Sequence, residues 1–232
     1  DVLSADAGTT EHTVHVLASG DPMLHGIGST IVKAVGAGRV TVLPAPSSVS
    51  LAAARLGWDL ARTRVLSLVT AEPDVLVGAL TDGARLLVLS RDGESPARVA
   101  ELLRHSGFGS SSLTVLGDLG GPGETVLGGT ADTWPAEPSP VPNIVAIDCE
   151  GPAASRAPGL PDVEYAHDGQ LTKQAVRAVT VGALAPAEGQ VLWDVGAGSG
   201  SVGIEWLRQT TTGRAIAFEA DPERAERIRV NA

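Results

Sequence analysis

The chain has 232 residues, 43% of them hydrophobic and 19% charged, and a formal net charge of -10 at pH 7. That length allows one large domain or two modest ones with a real core, while the acidic balance argues against general nucleic-acid binding, which needs a basic surface. The single cysteine, Cys149, excludes an internal disulfide and a multi-cysteine zinc site and fits a reducing cytoplasm; with no apolar run of about 18 residues, no membrane span is expected.

The chain opens "DVLSADAGTTEH", with no visible signal peptide and no initiating methionine, so a longer native N-terminus is expected. "HTVHVLA" (residues 12–18) reads as a strand ending in the turn Gly20-Asp21-Pro22. "GIGSTIVKAVG" predicts a helix and "RVTVLPA" a second strand. "SSVSLAAARLG" opens on a serine suited to an N-cap and runs as a helix to Gly57. "TRVLSLV", "ARLLVLS" and "SSLTVLG" read as three more strands, with helical patterns over residues 72–81 and 95–106 between them. "ETVLGG" and "NIVAID" read as closing antiparallel strands. Proline and small residues then dominate, so residues 1–149 are expected to form one domain and 150–165 a linker. Residues 166–232 follow as helix, strand, helix, strand and helix, an order that implies a parallel sheet with a right-handed crossover. The fold class expected throughout is α/β.

The stretch "LWDVGAGSGSVGIEW" places glycines between a strand and a helix. Such a turn aims backbone N–H groups and a helix N-terminus at a ligand. Two readings compete. "GSGSVG" (Gly198, Gly200, Gly203) fits the dinucleotide pattern G-x-G-x-x-G and a nicotinamide-dependent oxidoreductase. "DVGAGSG", with Asp194, Gly196, Ala197, Gly198, Ser199 and Gly200, is similar to the first motif of Rossmann-like methyltransferases. Asp194 favours the second: a carboxylate beside a pyrophosphate repels it, whereas S-adenosylmethionine carries no phosphate and two cationic groups. Glu219, ending the next strand, suits the two ribose hydroxyls of either cofactor. A tight turn without a ligand is the third reading.

Upstream, "LASGDPMLHGIG" and "LPAPSSVSLAAA" each end a predicted strand, where open α/β sheets bind ligands. A Gly-Asp-Pro turn alone says little. The two loops in this order resemble the tetrapyrrole methylases, which bind S-adenosylmethionine in a cleft between two α/β lobes. The resemblance assigns cofactor contacts to Gly20, Asp21, Leu24, Ser47 and Ser48. The family's opening G-x-G-P/A-G strand is absent, so an incomplete first lobe is expected, and "SLVTAE" stands where many relatives carry S-L-H-G-R. "HDGQLTKQAVRAVTVGALAP" is similar to the opening of precorrin methyltransferases that also decarboxylate. The two modules in one chain resemble the bifunctional C5,15-methyltransferases of cobalamin synthesis. That resemblance implies transfer of methyl groups to C5 (first module) and C15 (second module) of precorrin-6Y, with loss of carbon dioxide from an acetate arm.

The resemblance also makes Thr172 a better cofactor contact than Gln170. Lys173 and Arg177, at i and i+4, could clamp a substrate carboxylate from one helix face or form a solvated basic face. His25 is a candidate to face the substrate; His12 and His15 share no ligand spacing with another His or Cys, His105 reads as a solvated or capping residue at a helix end, and no metal site is expected. Trp58, Trp134, Trp193 and Trp206 read as packing residues. Relatives of this kind associate, so a homo-oligomer acting on a small tetrapyrrole, without nucleic acid or membrane, is expected. The second module ends soon after its second strand, which predicts a chain longer at both ends; a non-catalytic remnant is the bland alternative.

Overall fold

The computed structural model describes residues 13–152 and 155–232 and divides the chain into two compact units, residues 1–152 and 153–232. In the first unit the helices α1 (Ile27–Val35) and α2 (Ser48–Leu56) precede β1 (Thr63–Ser67), β2 (Arg85–Leu89), α3 (Ser95–His105), β3 (Ser112–Gly117), β4 (Thr125–Thr130) and β5 (Asn143–Asp148). The strands form one mixed sheet in the order β1-β2-β5-β3-β4. β1 and β2 run parallel; β5 inserts between β2 and β3, antiparallel to both, and β4 closes the edge antiparallel to β3. The two expected closing strands are therefore present and antiparallel.

Period-2 alternation sorts the central strands onto two faces. Leu86, Val88, Leu113, Val115, Val145 and Ile147 pack beneath Val99, Ala100 and Leu103 of α3. Leu87, Leu116, Ile144 and Ala146 face the other way and meet Val49, Ala52 and Ala53 of α2. Covered on both sides, β2 and β5 are almost continuous apolar runs, as buried strands are. Ser47 caps α2, its Oγ accepting the Ser50 N–H at 3.0 Å, and Gly57 ends it in the left-handed region at φ 65°.

Two sequence expectations fail here. Residues 13–18 and 39–45 form no strand; His12 lies outside the described residues. A strand needs a partner for its backbone groups, and these segments instead leave Val14, Val16, Leu17 and Leu43 exposed. The pattern at 72–81 is helical as expected, in the form of a 3-10 helix, Pro73–Ala79, where valines and Gly78 disfavour a longer α-helix.

The second unit contains α4 (Gln174–Leu184), β6 (Val191–Val195), α5 (Ser201–Leu207), β7 (Arg214–Phe218) and α6 (Pro222–Asn231). β6 and β7 pair in parallel, Val191 opposite Arg214 through Val195 opposite Phe218, as the β-α-β order predicts. Residues 155–165, expected as linker, are built into this unit: Tyr165 is buried, and Gly159 and Leu160 donate their N–H groups to Glu205 of α5.

Candidate functional site

In the first unit the Gly20-Asp21-Pro22 turn lies against the loop that opens α2. A Cβ on Gly20 would stand 3.5 Å from the Pro46 carbonyl oxygen and 3.8 Å from Ser47 Cα. Asp21 folds the turn by accepting the Met23 N–H at 2.8 Å, and the Gly28 N–H closes onto the Pro22 carbonyl at 2.9 Å. The turn rests so tightly on α1 that a Cβ on Gly28 would meet Pro22 O at 2.7 Å. The fold thus brings Gly20 and Asp21 beside Ser47. Leu24 and Ser48 are exposed next to them, and His25 is exposed at φ 53°, a conformation rarely adopted by a side-chain-bearing residue.

Arg91, unremarked in the sequence, organises the segment after β1. Its guanidinium donates to Leu68 O at 3.1 Å, Ala71 O at 2.8 Å and Glu72 at 3.0 Å. It thereby fixes "SLVTAE" at the carboxyl ends of β1 and β2, a role that no spacing signals.

In the second unit the glycine turn joins β6 to α5. Gly196, Gly198 and Gly200 have φ of 76°, 60° and 77°, which only glycine adopts without strain. The Gly196 and Ala197 N–H groups donate to Phe218 O, which lashes the turn to the end of β7. A Cβ on Gly196 or Gly198 would meet nothing within 4 Å, whereas one on Gly200 would stand 3.0 Å from Ile228 Cγ2. Two of the glycines therefore open onto free space and the third lets α6 approach.

Glu219 accepts the Gly198 N–H at 2.7 Å and the Asp221 N–H at 3.0 Å, and the Asp221 N–H foremost holds its carboxyl below the usual range. Asp194 is half-buried beneath α5. Its Oδ2 has no hydrogen-bond partner, and a Cβ on Gly203 would lie 3.1 Å away from it. Burial pushes this carboxyl up, only partly offset by the nearby Gly203 N–H. A shaped, open glycine turn flanked by two carboxylates of opposite tendency fits a ligand that is neutral or cationic and carries hydroxyls. Among the described residues, no three His, Cys, Asp or Glu side chains gather into a possible metal cluster.

Ala166, at the start of the segment before α4, is tied to this turn through Asn231. Thr172 is exposed and its carbonyl accepts from Arg177 at 2.5 Å. Lys173 is exposed, with Asp162 at 3.8 Å. Arg177 corrects the sequence reading: it is fully buried, so it belongs neither to a substrate clamp with Lys173 nor to a solvated face. It is paired with Glu205, Asp162 and the Leu160 carbonyl and lies 4.7 Å over the Tyr165 ring. Burial, then the Glu205 charge, pushes that tyrosine up to about 12. Trp206 is buried as expected, but Trp193 is 68% exposed and tilts against Phe218 at 5.7 Å, so it is not core packing in this unit.

Residues far along the chain complete the surroundings. Asp168 takes hydrogen bonds from Arg224 and Arg227 at 2.9 Å each, and Gln170 accepts from Arg224 at 2.7 Å. Asn231 reaches both Ala166 and Ser199. These α6 contacts span more than 30 residues of sequence, so periodicity offers no signal for them.

The family model of the tetrapyrrole (corrin/porphyrin) methylases matches residues 1–134, and that of a precorrin methyltransferase domain matches 163–232. The precorrin-6Y C(5,15)-methyltransferase (decarboxylating) of Mycobacterium tuberculosis strain H37Rv is 46% identical over 220 residues, covering 94% of this chain and 56% of the relative. Its counterpart from a Sinorhizobium species is 46% identical over 223 residues, covering 94% and 54%. The crystal structure of the C-terminal domain of precorrin-6Y C5,15-methyltransferase from Rhodobacter capsulatus is 50% identical, covers 34% of this chain and 41% of that chain, and superposes with a TM-score of 0.32. The chain spans about half the length of the curated relatives it matches. These matches lend nothing to the nicotinamide reading of Gly198, Gly200 and Gly203. With more than half of its residues matched by the family model, this chain belongs to the tetrapyrrole (corrin/porphyrin) methylases, and a precorrin methyltransferase domain match follows in the same chain.

Proposed function

We propose that the chain takes part in S-adenosylmethionine-dependent methylation of precorrin-6Y at C5 and C15, with decarboxylation of an acetate side chain, in corrin-ring synthesis. The observation that carries this reading is 46% identity across 94% of the chain to relatives named for that reaction. When bound, S-adenosylmethionine supplies an electrophilic methyl group on a sulfonium sulfur.

The residues fit such a donor. In the second unit, the open faces of Gly196 and Gly198 would receive the adenosyl part, with Ala197, Ser199 and Gly200 shaping the turn. Glu219, held as a carboxylate, would accept hydrogen bonds from the ribose hydroxyls. Asp194, whose Oδ2 lacks a partner, would face the cationic part. Thr172 would close the far side. In the first unit, Gly20, Asp21, Leu24, Ser47 and Ser48 would hold a second donor, with His25 toward the substrate. Lys173 remains a candidate for a substrate carboxylate. The macrocycle is itself electron-rich, so the protein's main task is alignment of ring carbon and methyl, and such positioning is worth up to about 7–11 kcal/mol. We further propose a cytoplasmic homo-oligomer; no helix among the described residues is long and apolar enough to cross a membrane.

Calorimetric titration with S-adenosylhomocysteine tests the donor sites, and incubation with precorrin-6Y and S-adenosylmethionine tests the reaction. The expected product has gained two methyl groups and lost carbon dioxide by mass. A full-length protein that binds neither donor nor its demethylated product overturns the reading.

A further inference from the structure

We propose that Asn231 is a positioning residue that sets the spacing between the glycine turn and the segment carrying Thr172. The inference rests on the donor-site reading of the second unit. Asn231 is the last residue of α6, and its amide makes three hydrogen bonds to two separate stretches of backbone. Its Oδ1 accepts the Ala166 N–H at 2.8 Å. Its Nδ2 donates to Ala166 O at 3.0 Å and to Ser199 O at 2.9 Å. Both donor hydrogens and one acceptor lone pair are thereby used, and the amide orientation is fixed because only nitrogen can serve two carbonyls.

The geometry gives these bonds a consequence beyond holding α6. Ser199 lies inside the turn between Gly198 and Gly200 and is buried, so leaving its carbonyl unpaired is costly. Ala166 opens residues 166–172, where the Gly169 and Gln170 N–H groups turn to the local side chains of His167 and Asp168. Asn231 engages both the N–H and the C=O of Ala166, as a neighbouring strand would. The same segment is gripped a second time by α6, through Asp168 to Arg224 and Arg227. A donor held at Gly198 would lie in a turn that Asn231 ties directly to Ala166, with the Asp168 pairs steadying the same segment, and a pre-set turn raises affinity by removing the cost of ordering.

Asn231→Ala is the informative variant, because alanine is the better helix former and α6 is not weakened by intrinsic propensity. Asn231→Asp keeps the acceptor for Ala166 but turns an oxygen toward two carbonyls. For the full chain, the expected result with Asn231→Ala is S-adenosylhomocysteine binding at the second site weakened about tenfold, as loss of one or two net hydrogen bonds implies. Asn231→Asp should bind no better. Hydrogen exchange on the ligand-free protein should rise at residues 166–172 and 196–200 while β6 and β7 keep their protection. If wild type binds and Asn231→Ala binds equally well, the positioning role is overturned and the donor-site reading stands. If exchange rises evenly through the second unit, Asn231 is a general stabiliser and the inference is again overturned. If wild type does not bind at this site, the donor-site reading falls, and the inference with it.

Discussion

At Arg177 one buried cation makes four hydrogen bonds, to Glu205, Asp162, Thr172 O and Leu160 O, while Glu205 in turn holds the Gly159 and Leu160 N–H groups and Tyr165. Removing one partner strands the other charge. Glu205→Ala should therefore destabilise the second unit by about 3–5 kcal/mol, read by urea denaturation, and Arg177→Met with Glu205→Leu together should recover much of that loss. A single variant as stable as wild type would show the cluster to be dispensable. Gly198 gives a functional counterpart. Gly198→Val forces a branched side chain to φ 60° and pushes it into the open space above the turn. The backbone penalty is about 1–2 kcal/mol, and S-adenosylhomocysteine affinity should fall about tenfold or more; unchanged binding in calorimetry would move the donor elsewhere. The two residues differ in legibility. The glycine spacing announced Gly198, because only a turn explains it. Helical spacing put Lys173 and Arg177 on one face, yet spacing carries no information about Glu205, the partner waiting 28 residues later.

Elements were readable where their stabilisation is local or their partner shares the pattern. The cap at Ser47 and the left-handed end at Gly57 follow from side-chain chemistry, and α2 forms where expected. β5 reads as a strand and is one because β2 and β3 pair with both of its edges. Residues 13–18 and 39–45 have comparable alternation and form none, since alternation supplies a face but not a neighbour. How α6 grips residues 166–170 was equally unreadable, and it gives a pH prediction. The Gln170 N–H foremost, then Arg224, holds the Asp168 carboxyl at about 2, below its unfolded value. A depressed carboxylate adds stability that is fully present above the unfolded pKa, about 3.9, and is lost as pH falls toward 2. The melting temperature of wild type should exceed that of Asp168→Asn at pH 6, and the gap should close between pH 5 and 2. A gap independent of pH would remove the ion pairs from the account.

For the molecule as a whole, β6 and β7 turn Val191, Trp193, Val195, Ile216 and Phe218 to one face, and all five are exposed among the described residues. Exposed apolar side chains gathered on one face bind hydrophobic dyes. Trp193→Ser with Phe218→Ser should lower anilinonaphthalene sulfonate fluorescence and concentration-dependent light scattering, with the melting temperature little changed; equal dye binding would mean that the face is covered in solution. The sequence by itself determined the α/β class, both closing strands, the β-α-β order of the second unit and the two glycine-containing loops, because propensity, period and turn chemistry act within a few residues. Only the tertiary structure decided that the Gly20 turn rests on Ser47, that Arg177 is buried, that Trp193 is exposed and that Asn231 joins Ala166 to Ser199. Each of those depends on which distant segment arrives alongside, and burial and pairing energies are set by that arrival, not by the residue's own neighbours in the chain.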